Sequence, residues 1–224
     1  MEGYKEPIQM PRGKKYGANY WTFYSKKNNR HYEAYSNLEY DNMIMLEMNS
    51  EVECYTPQPI EVQVVIDGKT KKTIFDVWVK YTDGKEEFQE VKYQDELDAD
   101  SPTGERSRKQ IAVQRTWCQM NNVEYTVRTD KDIHLGEFYI RNLRFLFGKI
   151  KRLSYIEPDV ENVLKKYLMK TCPVTVGYLD STGRFETSKT FDILSYFFYK
   201  GLISFSNIES KALTFKSEVI WNGK

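Results

Sequence analysis

The sequence predicts an α/β protein: a mixed β-sheet flanked by helices, followed by a small module of helices and a closing hairpin. Three observations carry this. Two runs rich in Val, Ile, Phe, Tyr and Trp flank Thr82-Asp83-Gly84-Lys85, and Asp-Gly between such runs is a strong hairpin signal. A helical stretch over 103–120 separates that hairpin from a strand-like 123–129, and strand–helix–strand order suits a parallel crossover. The last third reads as helices and then two strands around a polar turn.

At 224 residues the chain holds one large domain or two modest ones, and 40% hydrophobic with 15% aromatic residues suffice for a sizeable core. No apolar run approaches the roughly eighteen residues of a membrane span. The N-terminal MEGYKEPIQMPRGKK lacks an apolar signal segment, so a soluble, cytoplasmic protein without membrane contact is expected. Cys54, Cys118 and Cys172 have no zinc spacing and read as buried thiols. Two histidines, His31 and His134, argue against a His-based metal site. The net charge of +1, from 33 basic and 32 acidic residues, makes no global case for nucleic-acid binding; local distribution must carry one.

From the N-terminus, residues 11–30 mix Arg12, Lys14, Lys15, Lys26, Lys27 and Arg30 with Tyr16, Tyr20, Trp21, Phe23 and Tyr24. That mixture suits a phosphate-contacting arm, or equally a solvated segment whose aromatics pack on the core. Residues 36–47 read as a helix: Ser36 precedes Glu39 by three, the capping-box spacing, and Leu38, Met45 and Leu46 can face a core. Glu39 thus either caps its own helix or supplies an acid to a site nearby. Strands follow at 52–55 and 60–66, broken by Thr56-Pro57-Gln58-Pro59; Asp67-Gly68 turns the chain into the next strand.

The hairpin over 73–93 carries the candidate chemistry. Along its first run Phe75, Val77, Val79 and Tyr81 share one face, and Ile74, Asp76, Trp78 and Lys80 the other; along its second, Phe88, Glu90 and Lys92 share a face. A two-residue loop of Asp83-Gly84 sets Asp76 opposite Val91. A three-residue loop of Thr82-Asp83-Gly84, with Gly84 left-handed in a G1 bulge, sets it opposite Glu90. The sequence alone does not choose between them; the second register is assumed here, and a one-residue slip would flip every side chain. An Asp facing Glu-x-Lys then offers two hard carboxylate ligands for Mg²⁺. The metal can lower the pKa of a bound water, with a lysine to orient that water or steady developing charge. The plainer reading is a solvated hairpin with ordinary surface charges. Asp76 argues against it, since it interrupts an apolar run where an unpaired carboxylate is costly.

Beyond the hairpin, 94–100 reads as a polar loop and Ser101-Pro102 as a helix start. The helix over 103–120 carries Arg106, Arg108, Lys109 and Arg115, with Ile111, Ala112, Trp117 and Cys118 able to face inward. A basic helix beside an acidic site can hold DNA phosphates, or simply be a solvated face. Strand 123–129 and helix 137–147 complete a first domain, 1–148; Lys149-Ile150-Lys151-Arg152 opens a second, 149–224. There, helices at 158–170 and 188–199, the latter capped by Gly201, precede strands at 202–205 and 213–221. Helices followed by a hairpin fit a winged-helix module. Residues 188–199 are mostly apolar, with Lys189 and the adjacent Lys200 as cations, which favours a protein partner over DNA unless the aromatics fill the core.

Ser36-Asn37-Leu38-Glu39, Val52 to Pro59, Phe75-Asp76, Glu90-Val91-Lys92, Val127-Arg128-Thr129 and Arg141-Asn142-Leu143, in that order and spacing, resemble TnsA, the endonuclease subunit of heteromeric cut-and-paste transposons. The resemblance implies a restriction-endonuclease-like core that cuts the 5′ strand of double-stranded DNA at transposon ends. It implies a TnsB-type transposase as partner, and a TnsC-type AAA+ regulator met by the winged-helix-like C-terminal domain. It makes Glu39, Asp76, Glu90 and Lys92 the catalytic residues. Mg²⁺, or Mn²⁺ in its place, would be held by Asp76, Glu90 and the Val91 carbonyl, with Glu39 assisting. The family pattern has Gln where this chain has Glu90, a change that should strengthen metal binding. Two other functions fit the residues: a stand-alone restriction-like nuclease or junction resolvase, and a non-catalytic module bridging DNA and a regulator.

Overall fold

A computed structural model of the chain describes residues 4, 6–8, 19–151, 153, 155–184 and 189–223. Arg12, Lys14, Lys15 and Tyr16 of the expected arm lie outside the described residues, as do Arg152 and Ser188. The chain divides into two compact units, one of Met1–Glu47 with Glu51–Ile133, the other of Met48–Ser50 with His134–Lys224. The expected junction at 148/149 falls inside a helix of the second unit, Tyr139–Ile150.

The first unit opens with an antiparallel hairpin, β1 (Trp21–Ser25) and β2 (Arg30–Ala34). Phe23 and Ser25, Tyr32 and Ala34 point inward at period two, so residues 21–34 form a folded hairpin and not an extended arm. Helix α1 (Asn37–Met48) starts as predicted: Ser36 Oγ accepts from the Glu39 amide and Glu39 Oε2 accepts from the Tyr35 amide, both at 3.1 Å.

Strands β3 (Val52–Pro57), β6 (Val77–Tyr81), β7 (Glu86–Lys92) and β8 (Glu124–Thr129) form the main sheet in that spatial order; between β3 and β6 the chain makes a separate hairpin, β4 (Glu61–Ile66) with β5 (Lys69–Ile74). β3 runs through Pro57, which sequence reasoning placed in a break. It is an edge strand, where a missing amide donor costs nothing, and the break comes at Gln58, with φ of 41°. β7 pairs with β8 in parallel, joined by α2 (Gln94–Asp98) and α3 (Pro102–Asn121); α2 occupies what was read as a polar loop. Ser101 caps α3 by accepting from the Gly104 amide at 3.1 Å. Ala112 of α3 is exposed rather than inward. Helix α4 (Asp130–Ile133) ends the unit.

The run 73–81 is not one strand. Ile74 still pairs with Glu61 in the β4–β5 hairpin, while Val77 pairs with Gln89 in the main sheet, and the chain crosses between sheets at Phe75 and Asp76. The crossing turns Phe75 away from the face of Val77 and Val79. Its ring packs on Phe88 at 4.4 Å and Trp117 at 5.6 Å, in one buried cluster with Val62, Trp78 and Cys118.

The β6–β7 turn has three loop residues. The Tyr81 amide donates to the Lys85 carbonyl at 2.8 Å and Gly84 has φ of 87°, as the G1 bulge requires. Continuing the register Val77↔Gln89 by one residue sets Asp76 opposite Glu90. Gly84→Ala should cost about 1–2 kcal/mol, the penalty of a left-handed non-glycine residue. Urea unfolding checks this, and an unchanged midpoint would mean that the turn does not depend on that conformation.

The second unit contains α5 (Tyr139–Ile150), α6 (Pro158–Thr171), β9 (Val174–Thr175), α7 (Val176–Ser181), α8 (Thr190–Tyr199), β10 (Ile203–Phe205) and β11 (Glu218–Trp221), the strands in order β10-β11-β9 and all antiparallel. Gly201, with φ of 72°, follows α8 as expected. The last strand starts at Glu218 rather than at 213, because Thr214 and Ser217 close a turn before it. Asn142 of α5 pins the preceding loop: its Nδ2 donates to the Ile208 and Lys211 carbonyls at 2.7 Å, and its Oδ1 accepts from the Leu213 amide at 3.0 Å. No helix among the described residues is long and apolar enough to cross a membrane.

Candidate active site

All four side chains singled out in the sequence lie in the first unit, at the end of the main sheet where β6 has not yet begun. Asp76 stands in the crossing between β5 and β6, where no strand partner claims the facing edge of β7. Its Oδ2 accepts from the Val91 amide at 2.8 Å. In an extended strand the amide and carbonyl of one residue face the same neighbour, so the Val91 carbonyl is directed to the same edge.

Glu90 and Lys92 sit two apart on β7 and share a face, as predicted. The Lys92 Nζ lies 2.7 Å from Glu90 Oε1. The contact is an ion pair, and Oε1 of this fully buried carboxylate has no further donor beyond that ammonium. Its other oxygen, Oε2, accepts from Gln114 Nε2 of α3 at 2.6 Å. Burial raises the Glu90 pKa above the ordinary carboxylate value; Lys92 and Gln114 oppose this, and the negative charge of Glu39 adds to the rise. Burial alone would lower the Lys92 pKa, but Asp76 and Glu90 outweigh it and hold the amine above the usual lysine range. Glu96 of α2 adds a further negative charge near Lys92. Burial, then the charges of Glu90 and Asp76, raise the Tyr125 phenol.

Glu39, Asp76 and Lys92 line one cleft of about 1130 Å³, with the Glu90 carboxylate beneath Lys92. The four therefore share one region. Glu39 keeps its capping bond to the Tyr35 amide and also lines the cleft. Among the described residues, no three His, Cys, Asp or Glu side chains are gathered tightly enough to form a ready-made ligand cluster. Two carboxylates, a backbone carbonyl and water make a set of hard oxygens that Mg²⁺ accepts, since it keeps several waters when bound. Glu90 Oε1 fits the same use, because this buried oxygen, met by the Lys92 ammonium, keeps a further lone pair that a cation can take.

The rim of the cleft mixes charges with cations in excess: Glu61, Asp67 and Glu105 stand among five cations, Lys72 lying 3.6 Å from Glu61 and Lys109 paired with Glu105. Lys69, Lys71 and Lys72 come from β5, and Arg106 and Lys109 from α3. Sequence reasoning found the helix cations and missed the hairpin lysines, because 69–72 fell between the Asp67-Gly68 turn and a strand read as starting at Thr73. It also missed Gln114 and Tyr125. A signal for Gln114 was present: it falls on the inward stripe of α3 with Ile111 and Cys118, where an amide is out of place.

Residues 49–130, which hold Asp76, Glu90 and Lys92 but not Glu39, match the model of the family described as TnsA-like endonuclease N terminal. Nothing among the curated proteins matches the chain.

Proposed function

From the premise that residues 49–130 form a TnsA-type endonuclease domain, we propose that the chain is a Mg²⁺-dependent endonuclease subunit of a transposase that hydrolyses the 5′ strand at transposon ends. The observation that carries this reading is the convergence of Asp76, Glu90 and Lys92 on one edge of β7, with Glu39 at the same cleft. Asp76, Glu90 and the Val91 carbonyl are the ligands that would hold the metal, Mn²⁺ serving in place of Mg²⁺, and Glu39 assists. Bound there, the ion would acidify a water and offset charge at the phosphorus. Lys92, an ammonium between two carboxylates, donates to the attacking water or to a phosphate oxygen and steadies charge as it develops. The Val91 amide keeps Asp76 aimed into the cleft.

Duplex DNA is proposed to run along the cation-rich rim, its phosphates met by Lys69 and Lys71 on one side and by Arg106 and Lys109 on the other. Reversing the charge at Lys69 and Lys71 together should weaken duplex binding about tenfold and flatten the salt dependence by about two. Fluorescence anisotropy at several salt concentrations measures both. An unchanged slope would take the hairpin out of the DNA path.

The second unit, with four helices and a small antiparallel sheet, is proposed as the winged-helix-like part that meets a TnsC-type AAA+ regulator, while a TnsB-type transposase makes the 3′ cuts. The absence of basic residues from α8 supports a protein partner there. The test is a reconstituted reaction with transposase and regulator on end-labelled DNA. Mg²⁺-dependent cleavage of the 5′ strand supports the reading. Cleavage without a divalent ion, or of the 3′ strand alone, rejects it. Vigorous cutting of plain DNA by the isolated chain would instead make it a stand-alone nuclease.

A further inference from the structure

Gln114 is wholly buried in the middle of α3. Its Nε2 is 2.6 Å from Glu90 Oε2, 3.2 Å from Thr73 Oγ1 and 3.2 Å from the Ile74 carbonyl. Its Oε1 accepts from the Tyr125 hydroxyl at 2.7 Å. The orientation of the amide follows from its partners. An ionised carboxylate and a carbonyl can only accept, so the nitrogen must face them, and the oxygen is left for a hydroxyl that can donate. The shortest of these contacts goes to the charged group, as charge assistance requires.

We propose that Gln114 is a positioning residue for the metal site: it ties back one oxygen of Glu90 so that the other is presented to the cation. It also fastens the last turn of β5 before Asp76. This rests on the reading of Asp76 and Glu90 as metal ligands. The chemistry of the side chain fits that task. A lysine or arginine at 114 would neutralise the carboxylate and compete with the cation. A neutral amide donor fixes the geometry and leaves the negative charge in place. The Thr73 and Ile74 contacts join the same nitrogen to the strand that delivers Asp76, so one amide sets the spacing of both acids. Tyr125 in turn holds the amide by its oxygen, and the chain Tyr125–Gln114–Glu90 runs from β8 through α3 to β7. Partners of this kind behind a metal ligand typically affect affinity about 10–100-fold.

The experiment is calorimetric titration of the full chain with Mn²⁺, without DNA, alongside urea unfolding. Gln114→Met keeps the volume and removes both hydrogen-bonding ends; it should weaken Mn²⁺ binding about 10–100-fold. Tyr125→Phe frees only the far end of the amide and should weaken binding by a smaller factor in the same direction. A merely structural Gln114 would lower the urea midpoint and leave Mn²⁺ affinity of the folded protein within twofold, which overturns the inference. If Gln114→Met does not fold, Tyr125→Phe decides: unchanged affinity overturns the inference, and a reproducible loss supports it. Asp76→Ala separates the two levels of the argument. Wild type binding Mn²⁺ no better than Asp76→Ala would reject the metal-ligand reading itself, and the inference with it.

Discussion

Asp76→Ala is expected to abolish 5′-strand cleavage, by about three orders of magnitude or more, and to leave the first unit folded. The two effects separate because of where Asp76 stands. It lies in the crossing between two sheets, half-buried, and no regular strand pairing depends on its side chain. Structurally its carboxylate accepts from the Val91 amide at 2.8 Å, a bond whose loss costs about 1.5–3 kcal/mol, and its charge acts on the Lys92 ammonium. Catalytically its loss removes one of two carboxylates proposed to hold the metal, and without the ion neither water activation nor charge neutralisation at phosphorus survives; about 4 kcal/mol of barrier already amounts to a thousandfold. Asp76→Asn sharpens the test, since it still accepts from Val91 but lacks the charge. Both variants should be inactive, with Asn the more stable. Cleavage by a reconstituted transposase on DNA labelled at the 5′ strand measures the first effect, and circular dichroism with urea the second. Either variant cutting at more than about a tenth of the wild-type rate would remove Asp76 from the metal site.

Much of that site was legible from local rules. Period-two alternation set Glu90 beside Lys92, and the observed 2.7 Å contact follows from it. Asp83-Gly84 left a two-residue and a three-residue turn open, and the structure has the three-residue turn, with the register that faces Asp76 to Glu90. Ser36 and Glu39 announced the start of α1 by their spacing alone. The break at Phe75–Asp76 was not legible. A strand that leaves one sheet for another keeps the β-rich composition of a continuous strand, and the switch is decided by which partner each half finds, Glu61 or Gln89, both remote in sequence. The β1–β2 hairpin was hidden for a different reason. Its lysines sit in the turn and its aromatics alternate with polar residues, so the stretch carries the composition of a nucleic-acid arm and the periodicity of a strand at once. Gln114 was half-legible: its place on the inward stripe of α3 marked it as unusual, but its partner Glu90 is remote in sequence.

Glu47→Ala is expected to destabilise the first unit by about 3–5 kcal/mol, the usual cost of breaking a buried charged network, and to lower its melting temperature by on the order of 10 °C. In the sequence Glu47 is an ordinary acid near the end of a helix. In the fold it is fully buried. Its Oε2 accepts from Ser25 at 2.6 Å and from the Tyr55 hydroxyl at 2.8 Å, and its Oε1 accepts from the Lys27 amide at 3.0 Å. One carboxylate thus joins the β1–β2 turn, α1 and β3, and its removal strands two buried donors and one half-buried one. Lys27 belongs to the same knot: burial lowers its pKa to about 8, against the pull of Glu47, while its Nζ donates to the Val52 carbonyl at 2.6 Å. The contrast with Glu90 explains why two equally buried acids are assigned opposite roles. Every oxygen of Glu47 is met by donors from the protein, which makes it a structural anchor. Glu90 has its Oε1 met by the Lys92 ammonium at 2.7 Å and by no fixed donor of the kind that holds Glu47, which leaves that oxygen available to the cation proposed here. Glu53→Ala is the control, since its ion pair with Lys80 at 2.9 Å is solvent-exposed and contributes less than about 1 kcal/mol. Urea unfolding of the two variants side by side decides the matter. A Glu47→Ala protein as stable as Glu53→Ala would mean that satisfaction by donors does not distinguish anchoring acids from metal-binding ones in this fold.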